Sequence, residues 1–177
     1  MLFNSWQYMV FYPLVVLAYF VLPQRIKNFW LLLASYYFYM GWSAKYAVLL
    51  FFTTAVTYAG SLILERFRNR WVLIATLVLN FGILFYFKYA QFAFNNLAMI
   101  MRTAGIPFES RSFDIVLPVG ISFFTFQAVG YTIDVYRRDI YAERNFFRYA
   151  LFVSFFPQLV AGPIERSKRL LKQLDKT

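Results

Sequence analysis

Residues 117–139 read LPVGISFFTFQAVGYTIDVYRRD, and residues 145–166 read NFFRYALFVSFFPQLVAGPIER. Both segments are mostly apolar and aromatic, as membrane helices are, yet they also contain Ser, Thr, Gln and Asp together with proline and glycine. Polar groups and interrupted helices are costly at membrane depth and usually mark a pathway or a binding site. We therefore expect the function of the chain to reside in these two segments.

The rest of the 177-residue chain is also strongly apolar. Hydrophobic residues make up 61% and charged residues only 15%, whereas soluble domains carry roughly 25% charged residues. Six runs contain no Asp, Glu, Lys or Arg, namely 1–24, 28–44, 46–64, 71–87, 115–133 and 149–164. Each is close to the roughly 17–25 residues that a helix needs to cross the hydrocarbon core. The sequence predicts an all-α integral membrane protein whose direct surroundings are the lipid bilayer.

The charge and the missing residue types exclude several classes of function. The net charge is +10, but the basic residues lie in short loops between apolar runs, as in cytoplasmic loops of membrane proteins. No separate polar, basic domain exists, so we expect no nucleic-acid partner. The chain contains neither cysteine nor histidine, which removes thiolate metal sites, disulfides and imidazole bases. We expect no bound metal and no bound cofactor.

Apolar periodicity and helix breakers predict five membrane helices. They cover about 6–22, 28–40, 44–64, 71–87 and 116–136. The fourth is either long or bent, because its apolar pattern continues to Met101. Segment 102–114, with Gly105 and Pro107, is the clearest loop.

Loop charge predicts that the N-terminus lies outside. The loops at 25–27, 65–70 and 137–148 are basic, and positive loops stay in the cytoplasm. The segment 145–164 is then flanked by basic residues on both sides, which a single crossing does not allow. The sequence favours a re-entrant segment that enters near Asn145 and turns around Pro157 or at 162–163. The alternative is a full span whose basic tail lies outside.

Helical spacing places three polar residues, Gln127, Tyr131 and Asp134, on one stripe of the fifth helix. A buried amide needs partners, so Gln127 either lines a cavity or bonds to a neighbouring helix. Asp134 lies near Arg137, and its simpler interpretation is an ion pair at the membrane interface.

Two further polar residues flank the predicted bend. Gln158, next to Pro157, either satisfies a backbone group freed by the break or faces a substrate. Arg166 is suited to holding a phosphate or carboxylate, although it also serves as a charge that sets topology. The candidate substrate-tunnel residues are Gln127, Tyr131, Asp134, Gln158 and Arg166, and no catalytic residue is assigned.

Five segments carry a resemblance to a known family. Residues 1–23, 25–42, 80–89, 117–137 and 152–166 resemble the membrane-bound O-acyltransferase family. Within it they are similar to the bacterial branch of alginate O-acetyltransferases and D-alanyl-lipoteichoic-acid transfer proteins. The similarity covers essentially the whole chain.

The resemblance implies a multi-pass enzyme of the bacterial inner membrane with a tunnel through the bilayer. An acyl group, acetyl in the alginate branch, would pass from a thioester donor (acyl-CoA or an acyl carrier protein) to a hydroxyl outside. The acceptor would be an extracytoplasmic polysaccharide such as alginate, or an acyl-relay protein. Family members are generally more than twice as long, and their essential histidine lies downstream of the matched segment.

Residues 1–177 are therefore expected to be the N-terminal part of one acyltransferase domain, forming a wall of the tunnel. By itself this part is expected to be inactive, because it contains no histidine. The alternative is a non-catalytic membrane scaffold or accessory subunit.

Overall fold

The computed structural model describes residues 5–105, 117–159 and 170–171. Within these ranges the chain is helical and contains no β-strand. The helices are α1 (Trp6–Val21), α2 (Gln24–Met40), α3 (Ala44–Phe67), α4 (Arg70–Thr103), α5 (Ile121–Arg137), α6 (Phe146–Ser154) and α7 (Phe156–Leu159). The prediction of an all-α fold is confirmed.

Three predicted helix boundaries differ from the structure. Helix α2 begins at Gln24, directly after Pro23, because the basic residues near its start do not interrupt the helical backbone. Helix α4 runs without a break to Thr103, so the long alternative is correct. Helix α5 begins at Ile121 and not at 116, because Gly120 has a φ of 77°, which lies outside the helical region.

Two described helices, α3 and α4, are long and apolar enough to cross a membrane, and α1 is a shorter apolar helix. Large apolar side chains cover their outer surfaces; Trp71, Val78 and Phe92 on α4 are all more than 60% exposed. Soluble monomers rarely expose apolar surface on this scale. The apolar surface is that of a membrane protein, and the count of about five spans stays a prediction.

Helix α3 occupies the centre of the bundle and contacts α2, α4, α5 and α6. Its buried face consists largely of small or polar residues, including Thr57, Gly60 and Ser61. A Cβ atom added at Gly60 would lie 2.5 Å from Thr76 Oγ1 of α4, so these two helices touch closely at that glycine. Small residues allow helix backbones to approach in this way inside membranes.

The loop after α3 and the loop after α5 lie at the same end of the bundle. The Glu65 carboxylate of α3 accepts hydrogen bonds from the Arg144 guanidinium at 2.7 Å and from the Ala142 N–H at 3.3 Å. Tyr58 of α3 donates its hydroxyl to the Arg144 carbonyl at 2.6 Å. We call this end, formed by residues 65–70 and 137–148, the basic end. The helix-to-loop contacts agree with the shared side that loop charge predicts for these two segments.

Candidate functional site

The polar segment after α5 forms two short helices, α6 and α7, which are separated at Phe155. Phe155 has φ −56° and ψ 110°, an extended conformation that no helix contains. Pro157 explains the break, because proline lacks an N–H and its ring clashes with the carbonyl four residues earlier in a continuous helix. Helix α6 has nine residues and is about 13 Å long, well short of the roughly 30 Å hydrocarbon core.

Side chains from two other helices replace the hydrogen bond that the break removes. In a continuous helix the Phe156 N–H would donate to the Phe152 carbonyl. Here Gln127 Nε2 of α5 donates to the Phe152 carbonyl at 2.7 Å, and the Phe156 N–H donates to Ser35 Oγ of α2 at 3.3 Å. Gln127 is 6% exposed and Ser35 is fully buried. We call Gln127 and Ser35, with the two backbone groups they bind, the helix-break clamp.

Aromatic contacts fix the rest of α6. The Tyr131 ring of α5 lies 4.7 Å from the Tyr149 ring and 5.8 Å from the Phe152 ring, measured between centroids. The Tyr131 hydroxyl accepts a hydrogen bond from the Glu143 N–H at 2.6 Å. The Tyr149 hydroxyl donates to Thr57 Oγ1 of α3 at 2.8 Å. Helix α6 is therefore held against α5 and α3 by ring packing and by the hydrogen bond between Tyr149 and Thr57.

The α6–α7 segment runs antiparallel to α5. It begins beside Tyr131 at the basic end, and Leu159 at its end packs against Gly120, the residue before α5. A Cβ atom at Gly120 would strike the Leu159 carbonyl, so the two backbones are in direct contact. By Leu159 the chain has passed from Tyr131 to the residue before α5, and it does not reverse at Pro157, because α7 is helical through that residue. The other predicted turn, at 162–163, lies outside the described residues, and re-entry stays a prediction.

Two of the remaining candidate residues, Asp134 and Gln158, lie near opposite ends of α5. Asp134 is half-buried near the basic end, and its backbone carbonyl accepts the Asp139 N–H at 3.0 Å where α5 ends. Gln158 is half-buried on α7, and its Oε1 atom is buried without a hydrogen-bond partner among the described residues. Arg166 lies outside the described residues. The structure thus brings Gln127 and Tyr131 together around α6 and separates Asp134 from Gln158.

Sequence reasoning missed two residues of this arrangement. Ser35 lies in the run ASYYFY of α2. The aromatic residues of this run indicate an interfacial belt, and the pattern gives the serine no separate role. Glu65 is the single acidic residue in the basic stretch 65–70. An acidic residue among arginines indicates an ion pair, so Glu65 could have been predicted from the sequence. No feature of the sequence indicates the contact made by Ser35.

The chemistry available at the site is that of amides, hydroxyls and phenols. Such groups bind and orient polar ligands, but a general base working near neutral pH is most often a histidine, and the chain has none. Across the described ranges, no three Asp or Glu side chains come together as a metal site would require. The arrangement holds an interrupted backbone in place between α5 and α2.

Comparison with curated proteins identifies the family. Over 173 residues the chain is 37% identical to the probable alginate O-acetylase of Pseudomonas aeruginosa, an alignment that covers 94% of this chain and 33% of that protein. It is 31% identical over 208 aligned positions to the peptidoglycan O-acetyltransferase of Helicobacter pylori, covering 98% and 38% respectively. The chain belongs to the membrane-bound O-acyltransferase family. The resemblance found in the sequence is confirmed.

The chain spans about a third of the length of the curated relatives it matches. A shorter alignment, 34% identical over 58 residues, relates it to the teichoic acid D-alanyltransferase of Lacticaseibacillus rhamnosus. That alignment covers 33% of this chain and 14% of the relative. No family model matches the chain, and no solved structure matches it.

Proposed function

We propose that this chain forms part of a membrane O-acyltransferase that transfers an acetyl group to a hydroxyl of an extracytoplasmic polysaccharide. The donor is a thioester on the cytoplasmic side, either acyl-CoA or an acyl carrier protein. The names of the relatives support this function, since they describe the acetylation of alginate and of peptidoglycan. The observation that carries the proposal is the helix break at Phe155, because irregular backbone at membrane depth occurs where it is buried in protein or lines a cavity.

The reaction we propose is acyl transfer from sulfur to oxygen. The acceptor hydroxyl oxygen attacks the thioester carbonyl carbon, so that a C–O bond forms and the C–S bond breaks. A general base takes the hydroxyl proton, which finally reaches the leaving thiolate; such a base is worth roughly 10²–10⁴-fold in rate. Because residues 1–177 contain no histidine, an imidazole base has to come from outside them.

The part of this chain in the reaction is to build one wall of the passage between donor and acceptor. We assign the wall to Gln127, Tyr131, Asp134, Gln158 and Arg166. Gln158 supports this assignment, because its Oε1 atom is buried and has no donor within the described part of the chain, whereas a buried amide oxygen normally has one. Gln127 supports it in a different way, because its Nε2 donates a hydrogen bond to the Phe152 carbonyl at the break between α6 and α7.

We further propose a multi-pass orientation in the bacterial inner membrane with the N-terminus outside. The basic end then faces the cytoplasm and the donor, and the end at Gly120 and Leu159 faces the polysaccharide or an acyl-relay protein. A single cysteine in this cysteine-free chain tests the orientation, at Tyr141 (89% exposed) or at Trp42 between α2 and α3. A membrane-impermeant thiol reagent should label Trp42→Cys in intact cells and Tyr141→Cys only after lysis. The reverse pattern would overturn the orientation.

The wall assignment is tested in the complete gene product that carries this chain. Gln127, Gln158 and Arg166 are each replaced by Leu, and acetyl transfer to polysaccharide is measured at matched abundance in the membrane. Gln7→Leu on the exposed face of α1 is the control. We expect reduced transfer in the three wall variants and normal transfer in the control; normal transfer in all three would exclude them from the wall.

A second candidate function is a non-catalytic scaffold or accessory subunit, which the absence of histidine from the chain favours. Deleting the gene and measuring polysaccharide O-acetylation separates the two, with purified gene product then supplied with acetyl-CoA and polysaccharide. Acetyl transfer by the purified protein alone establishes the enzyme. Transfer that needs another membrane protein, or an unchanged deletion strain, would favour the accessory function.

A further inference from the structure

A cavity of about 290 Å³ lies at the basic end, between the last turns of α3 and α5. Its inner lining is apolar and includes the buried side chains of Leu64 and Val135. Its outer lining carries two exposed arginines, Arg68 and Arg138, and the exposed ring of Tyr141. The cavity is therefore amphipathic, because both buried apolar side chains and exposed arginine side chains line it.

The two arginines share an uncommon backbone conformation. Arg68 has φ 43° and Arg138 has φ 64°, and each ends its helix. Glycine normally fills such left-handed positions after a helix, because side chains disfavour them. Among the described residues, these are the two non-glycine residues with positive φ, and both line the same cavity. Strained backbone of this kind is concentrated at functional sites.

The charge balance of the cavity is positive. Its one lining carboxylate, Glu65, already accepts hydrogen bonds from the Arg144 guanidinium and the Ala142 N–H. No described carboxylate forms an ion pair with Arg68 or Arg138. The Arg68 guanidinium instead lies 5.8 Å from the centroid of the Tyr136 ring, a cation–π contact that leaves its hydrogen-bond donors available. Among the described residues, neither of these two cavity-lining arginines has a carboxylate counter-ion.

We infer that this cavity binds the phosphate of an anionic phospholipid headgroup. Arginine pairs bind phosphate oxygens in a fixed planar geometry, and basic pockets between membrane helices hold anionic headgroups. The apolar inner walls suit the glycerol and upper acyl chain, and the neighbouring Phe67 ring is 66% exposed. The volume lies at the small end of the roughly 300–1,000 Å³ typical of ligand sites, which favours a headgroup over a nucleotide-bearing donor. This lipid site goes beyond acyl transfer and does not depend on it.

The experiment measures lipid binding to the detergent-purified full chain by native mass spectrometry. Phosphatidylglycerol and phosphatidylcholine of equal chain length are compared as probes, with inorganic phosphate as a competitor. The test variant is Arg68→Gly with Arg138→Gly, which removes both guanidinium groups and places the residue preferred at positive φ. The control is Arg66→Gln with Arg70→Gln, which removes the same charge from exposed positions outside the cavity.

We expect the wild-type chain and the control to prefer phosphatidylglycerol by roughly tenfold or more, and the glycine variant to lose that preference. Thermal unfolding of the glycine variant should be unchanged or shifted upward, which shows that it folds. An equal loss in the control would reduce the effect to net charge and overturn the site. The site is also overturned if the wild type shows no preference, or if millimolar inorganic phosphate displaces the lipid completely.

Discussion

Replacing Gln127 by Leu tests how the break between α6 and α7 is stabilised. The substitution introduces an apolar side chain of similar size and removes the Nε2 donor, which lies 2.7 Å from the Phe152 carbonyl. That carbonyl has no helical donor, because the Phe156 N–H is bound to Ser35 Oγ. The variant therefore leaves a buried acceptor without a partner, in a site where Gln127 itself is only 6% exposed.

The expected loss of stability is about 1–2 kcal/mol. A buried acceptor left unsatisfied costs about 1–3 kcal/mol, whereas hydrogen bonds between membrane helices average about 0.6 kcal/mol and reach about 1.7. The short distance and the absence of a helical donor place Gln127 in the upper part of the membrane range. Ser35→Ala should cost less, about 0.5–1 kcal/mol, because its bond to the Phe156 N–H is 3.3 Å long.

The assay is reversible unfolding in mixed detergent micelles, with Gln7→Leu on exposed α1 as the matched control. The double variant of Gln127 and Ser35 adds a second readout. Because Pro157 still disfavours a continuous helix, the Phe156 N–H and the Phe152 carbonyl do not pair when both side chains are removed, so the losses of the two single variants should add to within about 0.5 kcal/mol. A Gln127→Leu variant as stable as the control, or a double variant as stable as either single variant, would refute the clamp.

Two glycine positions give further predictions, and Gly130→Ala serves as the control for both because nothing lies within 4 Å of its added Cβ. Gly120→Ala should destabilise the fold by about 2–3 kcal/mol in the same unfolding assay, since φ is 77° and the new Cβ meets the Leu159 backbone carbonyl. Gly60→Ala should cost about 1–3 kcal/mol, because its Cβ would lie 2.5 Å from Thr76 Oγ1 and force α3 and α4 apart. Either variant unfolding like the control would contradict the packing described here.

Much of the architecture could be predicted because the bilayer restricts the choices. Apolar runs without charges predict the helices, and loop charge correctly placed 65–70 and 137–148 on one side of the bundle. The start of α5 was misplaced because apolarity continues through residues that do not form a helix. Gly120 and Pro118 are apolar enough for a membrane segment, yet the positive φ of Gly120 excludes helical backbone there.

The site was harder to predict, because it depends on pairs of residues far apart in sequence. Helical spacing singled out Gln127 and Tyr131, and both contact α6 or the loop before it. Their partners follow from packing and not from any local pattern. Ser35 lies 121 positions from the Phe156 N–H that it accepts, and nothing in α2 indicates that this serine faces a broken helix.

The contacts along α6 and α7 restrict how the proposed passage beside these two helices can open. The segment is fixed at its start by the Glu65–Arg144 ion pair, in its middle by the helix-break clamp, and at its end by the backbone contact between Gly120 and Leu159. Moving the helices as a body would break all three attachments at once. Side-chain rotation breaks none of them, and Gln158, directly after Pro157, carries a buried Oε1 atom that has no hydrogen-bond donor among the described residues. In the proposed acyltransferase, a ligand hydroxyl or amide that donates to this oxygen would add a hydrogen bond without displacing the backbone. We therefore expect Gln158 to be the residue at which the proposed wall contacts the substrate.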